Sequence, residues 1–78
     1  MIYKVNNNIA FDHAQGAFMF YIEGGVKMIP LHFISRFELG EDNVVVVCET
    51  KYLKERISVE SSQPDADLEK LQILMESF

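Results

Sequence analysis

The side chains that could do chemistry are few in this sequence and lie far apart. The single cysteine, Cys48, ends a run of four valines, and His13 and His32 have no metal-binding partner at the spacing of a zinc site. A catalytic thiol needs an exposed position close to a histidine, so we expect Cys48 to be a buried, unreactive side chain. Asp65 and Asp67 precede an apolar helical pattern, where the positive end of the helix dipole explains two carboxylates without a metal.

The glycine pair Gly24-Gly25 is the other motif with a chemical interpretation. A phosphate-binding loop leads from a strand into a helix and carries further glycines or a Gly-Lys pair, whereas this pair lies between two strand-like segments. No nucleophile elbow and no calcium-binding loop pattern occurs in the sequence. We therefore predict a protein that is not an enzyme and that has no catalytic, metal-binding or cofactor-binding residues.

Composition limits the architecture and the class of partner. The chain has 78 residues, 49% of them hydrophobic, which fits a single domain over residues 1–78 with a small core. The net charge of −5 disfavours binding to nucleic acid or to an anionic membrane surface, because both need positive charge. One cysteine excludes an internal disulfide, and the first residues do not have the pattern of a signal peptide, so a cytoplasmic location is expected.

The segment Val44–Cys48 predicts the central strand of a sheet. Its five apolar residues do not alternate with polar ones, which indicates a strand covered on both faces. The flanking segments Ile34–Leu39 and Leu53–Glu60 are more polar and are predicted to pair with it. We expect the two covers to be a hairpin over Phe18–Ile29 and the apolar stripe of a C-terminal helix.

The hairpin is predicted from two apolar segments separated by Gly24-Gly25. A two-residue loop at these glycines pairs Glu23 with Val26 and Tyr21 with Met28. Because side chains alternate, one face of the hairpin carries Phe18, Phe20, Ile22 and Ile29, and the other carries Met19, Tyr21, Val26 and Met28. Both faces are apolar, so the hairpin is either enclosed in the core or exposes one face as an interface. The predicted interface comprises Met19, Tyr21, Val26, Met28 and, on the helix, Ile73.

Short motifs define the remaining elements. The predicted strands Ile2–Val5 and Ile9–Phe11 flank a turn of three asparagines. Pro30–Phe33 is predicted as one helical turn, with a strand as the alternative. A serine cap and Pro64 predict the helix start, and its apolar stripe comprises Leu68, Leu71, Leu74, Met75 and Phe78. The predicted fold is α+β, a small, curved, mainly antiparallel sheet of about five to seven strands with one C-terminal helix packed on it.

Two functions fit these patterns. The first is a non-catalytic protein–protein interaction or regulatory module that associates with itself as a homodimer through the apolar hairpin. The second is an acidic inhibitor from a phage or mobile element that binds a basic site on a nucleic-acid-binding protein. Its predicted acidic patch comprises Glu38, Glu41, Asp42 and Glu49.

Two short resemblances add a third hypothesis. Ile34–Glu38, Asn43–Val47 and Ile57–Glu60 followed by a helix resemble the strand–strand–strand–helix order of several small bacterial regulatory domains. Ile2–Asp12 is similar to the N-terminal strands of winged-helix bacterial regulators of the ToxR type. The second resemblance implies a divergent winged-helix-like transcriptional regulator, although a valine-rich strand stands where that family has its recognition helix.

Overall fold

Seven strands and one helix make up the structure, a computed structural model that describes residues 1–77. Phe78, which the helical pattern assigned to the apolar stripe, lies outside the described residues. The elements are β1 (Ile2–Asn6), β2 (Ile9–Asp12), β3 (Ala17–Ile22), β4 (Gly25–Pro30), β5 (Arg36–Leu39), β6 (Asn43–Glu49), β7 (Lys54–Glu60) and α1 (Pro64–Glu76). A single 3₁₀ turn, Leu31–Phe33, separates β4 from β5 and confirms the predicted helical turn.

The strands form two antiparallel sheets. Sheet A has the order β1-β2-β3-β4, and sheet B has the order β5-β6-β7. The predicted α+β class is confirmed, but the strands form two sheets and not the one curved sheet that we expected. The 3₁₀ turn redirects the chain after Pro30, which has no backbone N–H to donate. The Leu31 N–H donates instead to the Gly16 carbonyl over 2.9 Å, and Ile34 N–H donates to Leu31 over 3.2 Å.

The β3–β4 hairpin differs from its predicted register by two residues. Ile22 pairs with Gly25 and Tyr21 pairs with Val26, so the loop consists of Glu23 and Gly24. Gly24 has φ of 95°, and Glu23 is not among the residues with positive φ, so only the second loop position requires glycine. A shift of two residues leaves the alternation of side chains unchanged, so the predicted division of the hairpin into two faces is correct.

The core lies between the inner faces of the two sheets. Phe18 and Phe20 of β3 are completely buried and contact the ring of Phe37 on β5, with centroid distances of 5.4 and 6.3 Å. From sheet B, Val44 and Val46 complete this cluster. Helix α1 contributes the buried side chains of Leu71 and Leu74, with Leu68 and Met75 packed partly against the cluster. The hairpin and the helix therefore cover the same, inner, face of the valine strand.

The outer face of that strand is covered in a way that the sequence pattern did not indicate. Val47 points away from the core cluster and still has no exposed surface. It pairs with Arg36 on one side and Arg56 on the other, and Val45 pairs with Glu38. Arginine side chains cover apolar surface with their aliphatic stems while their charged groups stay in water, so these neighbours exclude solvent from Val47. The expected second cover is thus a layer of charged side chains and not a further element.

A buried polar cluster joins the beginning of the chain to the helix. Asp67 in the first turn of α1 is 4% exposed and accepts hydrogen bonds from the Asn6 amide at 2.6 Å and from the Ser61 hydroxyl. The predicted serine cap is absent, since Gln63 occupies the N-cap position without a side-chain bond and Pro64 follows it. Asp67 therefore has a structural role beyond its interaction with the helix dipole.

Candidate interaction surface

Four of the five residues predicted as an interface lie together on the outer face of sheet A. Tyr21 pairs directly with Val26, and Met19 pairs directly with Met28, so the four side chains share one side of the β3–β4 hairpin. Tyr21, Val26 and Met28 are 45%, 58% and 46% exposed, and Met19 is half-buried. Large apolar side chains that adjoin one another in this way form a continuous patch, which in soluble proteins commonly marks a binding site.

The patch continues across the sheet with little charge. One row of paired residues contains Lys4, Ala10, Met19 and Met28. A second row contains Ile2, Asp12, Ala17 and Pro30. The two alanines are small and buried, so the middle of the face is low and is framed by larger side chains. The paired positions supply one lysine and one aspartate, and the carboxylate of Asp12 accepts a hydrogen bond from the Ala14 N–H at 2.9 Å.

Ile73, the fifth predicted residue, is exposed but lies on another surface. It belongs to α1, whose buried residues Leu71 and Leu74 pack in the core cluster. Phe18 and Phe20 of β3 point into that same cluster, whereas Met19 and Tyr21 point to the opposite side of the strand. The structure therefore does not bring Ile73 together with the other four residues.

The predicted acidic patch is divided between two ends of sheet B. Glu41 and Asp42 lie in the β5–β6 loop, and Glu49 ends β6, so about 20 Å of extended strand separates them. Glu38 and Glu49 each form an ion pair with Arg36, at 2.7 and 3.3 Å. Glu38 also pairs with Arg56. Two of the four carboxylates are thus neutralised by cations of the same sheet face.

This ion-pair cluster, comprising Arg36, Glu38, Glu49 and Arg56, changes the acidity of its members. Hydrogen bonds from Arg56, and next from Arg36, hold the pKa of Glu38 below its ordinary value. The reciprocal hydrogen bonds to Glu38 and Glu49 raise the pKa of Arg36. All four side chains are partly exposed, and the arginines of the cluster pair directly with Val47, so we assign the cluster a role in covering this valine.

Two polar clefts meet at the end of the molecule that carries the β1–β2 and β3–β4 turns. One of about 570 Å³ is lined by Asn6, Asn7, Asn8, Asp42, Glu60, Ser61 and Ser62. The other, of about 640 Å³, is lined by Asn8, Tyr21, Ile22, Glu23, Ser58 and Glu60. Asn8 and Glu60 belong to both, and the Asn8 amide donates to the Glu60 carbonyl at 3.1 Å. The lining includes three carboxylates and no basic residue, so this end of the molecule is acidic.

An apolar groove opens at the edge of β4, beside the outer face of sheet A. Its volume is about 340 Å³, and its lining residues are Lys27, Met28, Ile29, Pro30, Phe33, Cys48, Thr50, Leu53 and Glu55. Phe33 and Leu53 are exposed in it, and Cys48 lies at its buried side. Burial raises the pKa of the Cys48 thiol, and the nearby Glu55 adds to this effect, which fits the predicted unreactive side chain. Lys27 and Glu55 form an ion pair at its rim.

The groove was not predicted, because its walls come from three separate segments of the chain. The only signal in the sequence was the position of Phe33 and Leu53, two large apolar residues just outside strands. Within residues 1–77 no group of three or more histidine, cysteine or acidic side chains is arranged to hold a metal ion. In the same part of the chain, α1 is too short and too polar to cross a membrane.

Comparison of the chain with protein-family models, with curated proteins and with solved structures finds no match. The winged-helix resemblance and the resemblance to small bacterial regulatory domains therefore have no support from these comparisons. Three surfaces of the molecule are candidates for binding a partner: the outer face of sheet A, the acidic end and the apolar groove.

Proposed function

We propose that this protein is a non-catalytic interaction module that forms a homodimer through the outer face of sheet A. The observation that carries the proposal is the exposure of Tyr21, Val26 and Met28 side by side on one sheet face. Their cross-strand pairing fixes the backbone that carries them, so no backbone segment has to be ordered when they are covered.

A second copy of the chain is the partner that the charge distribution favours. The protein carries a net charge of −5, yet the paired positions of this face contain one positive and one negative residue, Lys4 and Asp12. The charges at the paired positions of this face therefore cancel, so two copies can meet there without net repulsion between these positions. A two-fold dimer needs one patch that complements itself, which this face can provide if the exposed side chains of Val26 and Met28 in each copy pack over the low, alanine-lined centre of the other.

The area of the face determines how tightly the proposed dimer is expected to associate. Four strands spaced about 4.8 Å apart and about five residues long present about 300 Å² in projection. A standard stable interface buries about 800 Å² per partner, so a dimer formed by this face alone is weak, with dissociation in the micromolar range or above. Such a dimer suits a regulatory module whose state of association changes with its concentration.

Sedimentation velocity over a range of concentrations tests the proposal with a matched pair of variants. Val26 and Ile73 are exposed to nearly the same extent, 58% and 56%, but only Val26 lies on the proposed face. We expect the wild type and Ile73→Lys to associate and Val26→Lys to remain monomeric. A wild type that stays monomeric up to millimolar concentration would contradict the proposal, as would equal effects of the two lysines.

We propose as a second candidate an inhibitor whose acidic end occupies a basic site on a nucleic-acid-binding protein. The supporting observation is that Glu23, Asp42 and Glu60 line the adjoining polar clefts without a basic residue among the lining. This set replaces the four carboxylates predicted from the sequence, since Glu38 and Glu49 are already paired with arginine.

Fluorescence anisotropy with a labelled oligo-arginine peptide tests the second candidate. The test variant, Asp42→Asn with Glu60→Gln, removes two negative charges from the acidic end. The control, Glu69→Gln with Glu76→Gln, removes two negative charges from α1. We expect the first pair to weaken binding more than the second and the wild-type affinity to fall as salt is added. Equal weakening by both pairs would show attraction to net charge alone and would remove this candidate.

A further inference from the structure

We infer that Met28 is an oxidation site and that its conversion to the sulfoxide by hydrogen peroxide dissociates the homodimer. This regulation rests on the proposed self-association. Met19 and Met28 pair directly across β3 and β4 on the outer face of sheet A, so two of the four methionines of the chain lie side by side where the copies are proposed to meet. An aliphatic pair would be equally apolar but inert to oxidants, so the methionines give this face a sensitivity that burial alone does not require.

Met28 is the member of this pair that an oxidant reaches more easily. Its side chain is 46% exposed, whereas Met19 is half-buried between Met28 and the buried Ala10 of the next strand. The described strands of sheet A flank Met28 on one side only, because β4 ends the strand order. Met75 packs partly against the core, and Met1 is 92% exposed but precedes β1. Met28 therefore combines high exposure with a place on the proposed interface.

The chemical step is a two-electron oxidation of the Met28 thioether. A lone pair of the sulfur attacks one oxygen of hydrogen peroxide, the O–O bond breaks, and an S–O bond forms. The departing hydroxide takes the proton from the oxygen that stays on sulfur, so the products are one sulfoxide and one water molecule. Sulfur is oxidised and the peroxide is reduced, with no other co-reactant. The step is reversible in effect, because methionine sulfoxide reductases return the sulfoxide to the thioether.

The sulfoxide removes the property that suits Met28 to an apolar interface. A flexible apolar side chain becomes polar, and its oxygen must accept hydrogen bonds when it is buried. The neighbours of Met28 on this face are Met19 across the strand pair and Val26 and Pro30 two positions away in β4. None of these three side chains can donate a hydrogen bond. Water solvates the sulfoxide in the monomer, so oxidation favours the monomer.

The weakness of the proposed dimer makes Met28 accessible to the oxidant. With dissociation in the micromolar range or above, free monomer is present at every concentration, and Met28 is exposed in it. Oxidation therefore proceeds from the monomer and prevents that copy from associating again. Cys48 is also oxidisable, but its thiol is buried and its pKa is raised, which lowers the fraction of reactive thiolate.

Sedimentation velocity of the full chain before and after peroxide treatment tests the inference, with mass spectrometry identifying the oxidised residues. Met28→Leu keeps an apolar side chain of similar volume without sulfur, and Met1→Leu is the matched control. We expect peroxide to raise the dimer dissociation constant of the wild type and of Met1→Leu at least about tenfold, since each dimer would bury two sulfoxides. We expect Met28→Leu to stay within about threefold of its untreated value. Methionine sulfoxide reductase should restore association of the oxidised wild type.

The rate of oxidation gives a second readout within one chain. Met1 and Met28 are both exposed in the monomer, and only Met28 belongs to the paired rows of the proposed face. We expect the rate at Met28 to fall relative to the rate at Met1 as wild-type concentration rises, because the dimer shields Met28. In Val26→Lys, which is expected to stay monomeric, the ratio of the two rates should be independent of concentration.

The possible results separate this inference from the proposed function. A wild type that is oxidised at Met28 and associates as before would overturn the inference and leave the proposed face intact. Equal loss of association in peroxide-treated Met28→Leu and wild type would also overturn it. Association that survives Val26→Lys but is lost on oxidation of Met28 would support the inference and contradict the proposed face. A wild type that is monomeric at every concentration would overturn both.

Discussion

The outer faces of both sheets carry apolar side chains, but only those of sheet B are covered by charged neighbours. Each sheet turns one apolar side towards the core and has further apolar residues on the side facing solvent. On sheet B, Val45 and Val47 lie under the ion-pair cluster, and Val47 is completely buried. On sheet A, Tyr21, Val26 and Met28 have no such cover and remain exposed.

The difference lies in the residues of the neighbouring strands. Val47 is flanked by Arg36 and Arg56, whose long side chains both reach Glu38, and this carboxylate bridges them across the sheet. On sheet A the corresponding neighbours are methionine, tyrosine and alanine, which have no charged groups to form such a layer. An apolar strand face can thus be covered by charged side chains of its own sheet, and a face without them is available to a partner.

The largest effect is expected from polar substitution under the ion-pair cluster. Val47→Ser leaves a cavity and places a hydroxyl among buried apolar groups, so we expect it to lower the free energy of unfolding by about 3 kcal/mol. Val26→Ser on sheet A should change it by no more than about 0.5 kcal/mol. Urea unfolding at low protein concentration measures both, and equal losses would refute the comparison.

Charges transferred to sheet A should make its outer face resemble that of sheet B. Tyr21 and Val26 pair directly, so Tyr21→Glu with Val26→Arg places opposite charges across the hairpin. We expect this double variant to stay monomeric at concentrations where the wild type associates, with its free energy of unfolding within about 1 kcal/mol of the wild-type value. Sedimentation and urea unfolding provide the two measurements, and continued association would show that the apolar pair is not part of the interface.

Protonation of Glu38 should weaken the cover of sheet B. Its pKa is lowered by Arg56 and Arg36, so its stabilising contribution is complete above the ordinary pKa near 4.5 and is lost as the pH falls through the lowered value. We expect the free energy of unfolding to decrease less between about pH 6 and about pH 3 in Glu38→Gln than in the wild type.

A matched control for this titration is Glu41→Gln in the β5–β6 loop. Glu41 takes part in none of the ion pairs formed by residues 1–77. Its variant should keep the wild-type dependence on pH in the same urea titrations. An unchanged dependence in Glu38→Gln would mean that the ion-pair cluster contributes nothing measurable.

The smallest effect is expected at Ile73. Its side chain is exposed on the helix and separate from both outer faces, so Ile73→Ser should leave self-association unchanged and alter the free energy of unfolding by no more than about 0.5 kcal/mol. A clear loss of association in the same sedimentation experiment would extend the interface to α1.

Local patterns predicted most of the elements and the faces of the hairpin. The valine run became β6, and the alternation of Phe18 and Phe20 with Met19 and Tyr21 correctly separated the inner from the outer face. Alternation depends only on neighbouring residues, so it survived the error of two residues in the hairpin register. The error arose because the loop consists of Glu23 and Gly24 and not of the two glycines. Glu23 can occupy the first loop position because that position does not require a positive φ.

Features that join distant segments could not be predicted. The cover of Val47 depends on Arg36 and Arg56 lying on either side of it, which requires the order of strands in sheet B. The apolar groove combines β4, the end of β6 and the start of β7, and the burial of Asp67 depends on Asn6. Each involves residues far apart in sequence, for which a single chain offers no periodic signal.

The hydrogen bond between Asn6 and Asp67 has a consequence for the synthesis of the protein. It spans 61 residues, so the first hairpin cannot reach its native surroundings until the C-terminal helix has left the ribosome. Contacts of such long range form only after the cost of closing the intervening chain has been met. We therefore expect sheet A to reach its native packing only after α1 has been synthesised, with the core-facing side of its hairpins exposed until then.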